Sequence, residues 1–162
     1  MKILIVSDSH GECFFLERAI LRAAPMDYMI HLGDVEGDEE YIREIAQCPV
    51  YIVAGNNDFF SREPREQMIQ LGNYHILLTH GHRYGVYSGL EVLKKKGLEL
   101  GAHIAMYGHT HMPRIDLDGE IWTINPGSIS RPRQEGRKPS YIIMEIDPFG
   151  KAHFELQYFD RL

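Results

Sequence analysis

Five short apolar runs in this chain are each followed at once by polar residues that can bind a metal, and this pairing constrains the fold most. Residues 2–6 lead into Asp8-Ser9-His10, 28–32 into Gly33-Asp34, and 50–54 into Gly55-Asn56-Asn57-Asp58. Further on, 74–79 lead into His80-Gly81-His82, and 103–107 into Gly108-His109-Thr110-His111. Continuous apolar runs of this length suit strands buried on both faces. Helical patterns separate the first three. Residues 12–24 place Phe15, Leu16, Ala19, Ile20 and Ala23 on one face before Pro25 stops the helix; Asp38 is a candidate cap for a helix over 38–47, ahead of Pro49. Alternating strands and helices predict an α/β fold with a parallel sheet covered by helices. Ligands in such sheets bind beyond the carboxyl ends of the strands, so the five fragments converge on one rim.

The remaining segments predict hairpins. One pairs 67–71 with 74–79 around Gly72-Asn73, and a second pairs 114–117 with 121–124 around Asp118-Gly119. A third pairs 141–146 with 153–159 around residues 148–150. The late antiparallel region is expected to supply a second sheet packed on the first. Ser88 and Glu91 read as a capping box for a helix that ends near Gly101 and carries Lys94, Lys95 and Lys96 on a wet face. Residues 130–140 read as one long exposed loop. No linker interrupts the 162 residues, so one domain over 1–162 is expected.

The formal net charge of −6 argues against a broad basic surface for nucleic acid. No stretch approaches the roughly 20 apolar residues of a membrane span, and the first run is too short for a signal peptide. The default address is therefore the cytoplasm. Cys13 and Cys48 form no CxxC spacing and read as reduced thiols. Nine histidines are the one compositional oddity.

Each fragment alone is explained by turn and cap chemistry; five in register with five strand ends are not. The donors Asp8, His10, Asp34, Asn56, His80, His109 and His111 mix oxygen and nitrogen and include no thiolate. Such a set favours Mn²⁺, Fe, Zn²⁺, Co²⁺ or Ni²⁺ over Ca²⁺. Seven donors exceed one tetrahedral ion and fit two ions about 3.5–4 Å apart that share a carboxylate. Two divalent ions with Asp8 and Asp34 leave a net charge of about +2, which attracts a phosphate ester to an acidic chain.

This order of motifs from Asp8 to His111, with Asn125-Pro126-Gly127-Ser128 after it, resembles the calcineurin-like metallophosphoesterase family. Within that family it is most similar to the small YfcE-type phosphodiesterases. The resemblance implies a four-layer α/β/β/α sandwich and a soluble enzyme for a small phosphoester. It implies that Asp8, His10 and His111 hold one ion, that Asn56, His80 and His109 hold the other, and that Asp34 bridges them. Mn²⁺ is the first choice of metal. The implied reaction is attack by water activated between two cations, with Asn56 and His82 stabilising the phosphoryl oxygens and Asp58 orienting a ligand such as His10.

One position departs from much of the family. Where many members carry a histidine that protonates the leaving group, this chain has Asn57. An amide donates a hydrogen bond but does not titrate near neutral pH. Diesters and activated esters are therefore expected over alkyl monoesters. Asn57 and His82 are candidate substrate contacts, and His82 is the candidate acid. Arg83, Arg131, Arg133 and Arg137 read as solvated, and His31, His75, His103 and His153 as structural or exposed. Two alternatives stand beside the phosphodiesterase. One is a phosphomonoesterase of the same fold; the other is a non-catalytic scaffold similar to the retromer subunit of this fold.

Overall fold

The computed structural model describes residues 1–160 and carries two five-stranded sheets among them. The first has the order β10-β9-β1-β2-β3, with β1 (Lys2–Val6), β2 (Tyr28–His31), β3 (Val50–Ile52), β9 (Ser140–Ile146) and β10 (Ala152–Tyr158). The second has the order β4-β5-β6-β8-β7, with β4 (Glu66–Leu71), β5 (Tyr74–Thr79), β6 (Ile104–Met106), β7 (Arg114–Asp116) and β8 (Trp122–Asn125). The helices are α1 (Phe14–Ala23), α2 (Glu39–Ala46) and α3 (Glu91–Glu99), and a single 3-10 turn spans His82–Tyr84. None of the helices is long and apolar enough to cross a membrane.

The layering follows from the two-residue period of the strands. Ile3 and Ile5 of β1, Ile30 of β2 and Ile142 and Met144 of β9 face Ile76, Leu78, Ile104, Met106 and Ile124 of the second sheet, forming the central core. The alternate residues Leu4, Val6, Met29 and Tyr141 turn outward onto Leu16, Ala19 and Ile20 of α1 and Ile42 of α2. Leu77 and Ala105 likewise leave the second sheet to meet Leu93 of α3. Strands buried on both faces therefore build four layers, helix, sheet, sheet, helix, as expected.

The sheet membership differs from the sequence reading. The last hairpin does not join the second sheet; β9 pairs antiparallel with β1, Ile3 opposite Met144. β6 leaves the first group and lies parallel to β5 and β8 in the second sheet. Runs apolar on both faces fit either sheet, so pattern alone cannot assign them. Two caps also differ. Asp38 stands at the N-terminus of α2 but makes no cap bond, and its carboxylate instead accepts from the Cys13 thiol at 3.3 Å. The residue at the start of α3 is Leu90, not Ser88, so the capping box does not form.

Candidate metal centre

The polar fragments sit beyond β1, β2, β3, β5 and β6, on one rim of the paired sheets. Backbone conformation turns their side chains inward. Asp8, His10, Asp34, His109 and His111 have φ of 56°, 50°, 56°, 69° and 58°, all in the left-handed region. L-residues adopt it at a cost of order 1 kcal/mol each, and Asp and His tolerate it better than most. Hydrogen bonds hold the strain in place: Asp8 N donates to Gly33 O, His10 N to Asp34 O and Gly11 N to Val35 O, at 2.9–3.0 Å. Ser128 Oγ and Ser130 Oγ both donate to the Asp8 carbonyl at 2.8 Å. Asn125 Nδ2 donates to Gly108 O at 3.2 Å. The Asn125–Ser128 motif thus supports the β1 and β6 loops. Two glycines are required by close approach: a Cβ at Gly55 would collide with the Asp34 carboxylate, and one at Gly108 with Ser7 and Asp8.

Asp8, His10 and His111 offer donor atoms close enough for one metal ion, and so do Asp8, Asp34 and His80. Asp8 Oδ1 stands 3.1 Å from His111 Nε2, 3.6 Å from His10 Nε2 and 3.7 Å from His80 Nε2. Asp34 Oδ2 reaches both halves, 3.4 Å from His80 Nε2 and 3.9 Å from His10 Nε2. His109 Nδ1 lies 3.2 Å from His80 Nε2. Asn56 occupies the turn between Gly55 and Asn57.

Whether these residues fit a cation can be tested on the proton inventory. His80 Nδ1 donates to Leu32 O at 2.7 Å, and His111 Nδ1 donates to Arg131 O at 2.6 Å. His10 Nδ1 donates to Glu36 Oε1 at 3.1 Å. Each acceptor is a carbonyl or carboxylate, so each Nδ1 carries the proton and each neutral ring presents an Nε2 lone pair. The Nε2 atoms of His10 and His111 then face each other at 3.2 Å, an arrangement that needs a shared cation or proton. Asp8 Oδ1 and Asn56 Oδ1 are buried and have no hydrogen-bond partner. Buried polar atoms are rarely left so. Mixed O and N donors with opposed lone pairs fit divalent metal ions.

With no ion bound, protons on the imidazoles supply the positive charge that the cluster attracts. Burial would raise the Asp8 carboxyl, but the neighbouring His10, His111 and His80 rings hold it well below the usual carboxylate range. Burial opposes Asp34 too, yet His80 and the Asn57 amides lower it to about 2. Burial disfavours charge on His10 and His80, but Asp8 with Glu36, and Asp34 with Asp8, raise them above their ordinary value. For His109, burial and the charge of His80 win, and its value falls.

Several neighbouring roles differ from expectation. Asp58 does not touch His10; its carboxylate accepts from the backbone N–H of Asp34, Glu36 and Gly55, each at 2.7 Å. Glu36 is the residue that orients His10. It lies two positions after Asp34, the same spacing as Asp8-x-His10 and His109-x-His111, and that repeat was its signal. Asn57 donates through its backbone N and its Nδ2 to Asp34, at 2.9 Å each. His82 lies beside His80 and His109, ring centroids 5.5 and 6.0 Å away. Burial and the charges of His80, His109 and Arg65 push it down to about 4, which favours the neutral imidazole at neutral pH. Arg131 pairs with Glu12, and Arg133 donates to the Tyr87 hydroxyl. His31 is buried and bonded to Ser9 Oγ at 2.9 Å, a structural histidine as expected.

The fold and this rim define a class: a two-sheet α/β sandwich with carboxylates and imidazoles gathered at the strand ends. The chain belongs to the calcineurin-like phosphoesterase superfamily, whose domain matches residues 1–148. It is 37% identical over 148 residues to a protein described as probable metallophosphoesterase YsnB of Bacillus subtilis, covering 91% of this chain and 85% of that one. It is 30% identical over 172 residues to phosphodiesterase YfcE of Escherichia coli K12, covering 91% and 89%. A Streptococcus pneumoniae TIGR4 structure described as a predicted phosphoesterase superposes with a TM-score of 0.81 at 33% identity, covering 97% of this chain and 87% of that one.

Proposed function

We propose that this phosphoesterase is a two-metal phosphodiesterase for small diesters. Asp8, His10 and His111 would hold one divalent ion and Asn56, His80 and His109 the other, with Asp34 shared; Mn²⁺ is the first choice. The observation that carries the reading is the buried, unpartnered Asp8 Oδ1 among three imidazole Nε2 atoms at 3.1–3.7 Å. Divalent ions held there would supply Lewis acidity for activating water and offsetting charge on phosphoryl oxygens.

The chain's own residues do the rest. Glu36, Leu32 O and Arg131 O fix the tautomers that aim Nε2 inward. Asn57 holds both Asp34 oxygens, so it steadies the shared carboxylate. It cannot protonate a departing alkoxide. His82, neutral near pH 7, can donate or accept a hydrogen bond at the phosphoryl group but is a poor proton source. Diesters with good leaving groups suit such a site better than alkyl monoesters. The scaffold alternative stays second, because the family match and the relatives named as phosphoesterases favour an enzyme.

The test is hydrolysis of bis-p-nitrophenyl phosphate with Mn²⁺, Fe²⁺, Zn²⁺, Co²⁺ or Ni²⁺ by wild type and Asp34→Asn. Metal-dependent turnover lost in the variant is expected. No turnover with any of these ions overturns the enzyme reading in favour of the scaffold. Comparable turnover of aliphatic monoesters overturns the preference for diesters.

A further inference from the structure

Two grooves are lined by chain neighbours of the candidate donors, one on the rim of each sheet. The groove on the second sheet, about 500 Å³, runs past Tyr87 and Thr110 over a floor of Leu90 and Tyr107. It adjoins His109, whose ring centroid is 4.8 Å from that of Tyr87. The groove on the first sheet, about 460 Å³, is lined by Glu36, Glu39, Asn57, Phe59, Phe60 and Ser61. It adjoins His10 through Glu36 and Asp34 through Asn57. A phosphodiester has two substituents, and each finds a groove.

The first-sheet groove has an unusual lining. Phe59 and Phe60 are 77% and 99% exposed, so they contribute little to the core. Among the described residues, no lysine or arginine lines the groove. Its side-chain amide, on Asn57, is already engaged with Asp34. The remaining polar side chains are rich in acceptors, led by the carboxylates of Glu36 and Glu39. A nucleobase would bring ring acceptors as well as donors and would find few donors here. Two aromatic rings with two carboxylates suit a group that is cationic and needs no donor. Carboxylates this near a phosphate site would repel a second anion, and a positive substituent removes that conflict.

We infer that this groove is a subsite for an ammonium-bearing alcohol, so that the preferred substrate is a zwitterionic phosphodiester. The inference rests on the diesterase reading. The phosphate occupies the donor cluster, the ammonium group lies against Phe59, Phe60 and Glu39, and the other substituent lies in the Tyr87 groove.

The test compares p-nitrophenyl phosphorylcholine with p-nitrophenyl 3,3-dimethylbutyl phosphate, in which carbon replaces the charged nitrogen. Both release p-nitrophenolate, so the ratio of their kcat/KM reads the charge alone. Wild type is expected to favour the choline ester about fivefold, the scale of a solvent-exposed cation–π contact reinforced by a carboxylate. The ratio should fall to within about twofold in Phe59→Ala/Phe60→Ala and part of the way in Glu39→Gln. A wild-type ratio near one, or a ratio that the variants leave unchanged, overturns the inference. So does a stronger preference for the p-nitrophenyl ester of thymidine monophosphate that the Phe variants abolish. Bis-p-nitrophenyl phosphate separates the two levels. If it is not hydrolysed, the diesterase reading fails, and the groove is judged by saturation-transfer NMR with phosphocholine and the Mg²⁺-loaded protein. Transfer to the methyl protons that the double Phe variant abolishes sustains the subsite; absence of transfer overturns it.

Discussion

The two sheets contribute opposite chemistry to the rim. The first sheet's loops bring Asp8, Asp34 and Asn56, all oxygen donors, with His10 as its one imidazole. The second sheet's loops bring His80, His109 and His111, all nitrogen donors. Oxygen ligands carry the negative charge that attracts a divalent cation. Imidazoles keep the site from becoming too anionic to receive a phosphate. Both candidate groups, Asp8 with His10 and His111 and Asp8 with Asp34 and His80, draw on both sheets, so the proposed centre depends on the core that clamps them together.

The contrast can be broken from the oxygen side first. Asp34→Asn removes the carboxylate that reaches both His10 and His80, and kcat is expected to fall on the order of 10²–10³-fold, the scale of one preorganised electrostatic contact. Metal analysis should show a reduced content. Loosening the clamp is the next largest effect. Met106→Ala, fully buried between the sheets, is expected to cost about 2–5 kcal/mol in denaturant unfolding and to weaken metal retention with it. Glu36→Gln keeps the shape but weakens the acceptor for His10 Nδ1, and a drop of about 10–100-fold in metal affinity is expected by titration. If affinity is unchanged, Glu36 does not orient His10.

The smallest effect is seen in the chelated protein in acid. The folded Asp34 value, about 2, lies below the ordinary 3.8, so its contribution is present above about pH 4. It is lost as pH falls through about 2. Part of the acid limb of the stability curve should therefore vanish in Asp34→Asn, on the order of 2 kcal/mol or less. An acid limb unaltered by the substitution would show that the lowered value does not arise from folding.

What the sequence displayed most openly was the rim. Apolar runs that end in Asp, Asn and His place donors at strand ends whichever sheet each strand joins, so the motifs survive an error in topology. That error occurred: the last hairpin was read into the wrong sheet because Ile142, Met144 and their neighbours are apolar on both faces. Residues that act through backbone were hidden as well. Asp58 looked like a partner for an imidazole, but it satisfies three amides, and nothing in its spacing told amide from imidazole. Ser128 is visible in the sequence only as part of a motif and Ser130 only as the start of a loop, because their target is a carbonyl, which every residue has.

The hydrogen bonds that continue from β1 and β2 into their loops have a mechanical consequence. Asp8, His10 and Asp34 hang on a laced pair of loops, tied at Gly33, Asp34 and Val35. None of the three can move alone to follow an ion of different radius; the loops must shift as one body or not at all. Discrimination among metals is then a matter of stiffness as much as of donor type. Removing a support of the laced pair, as with Ser130→Ala beneath Asp8, should broaden the range of ions accepted before it lowers the affinity for any one of them.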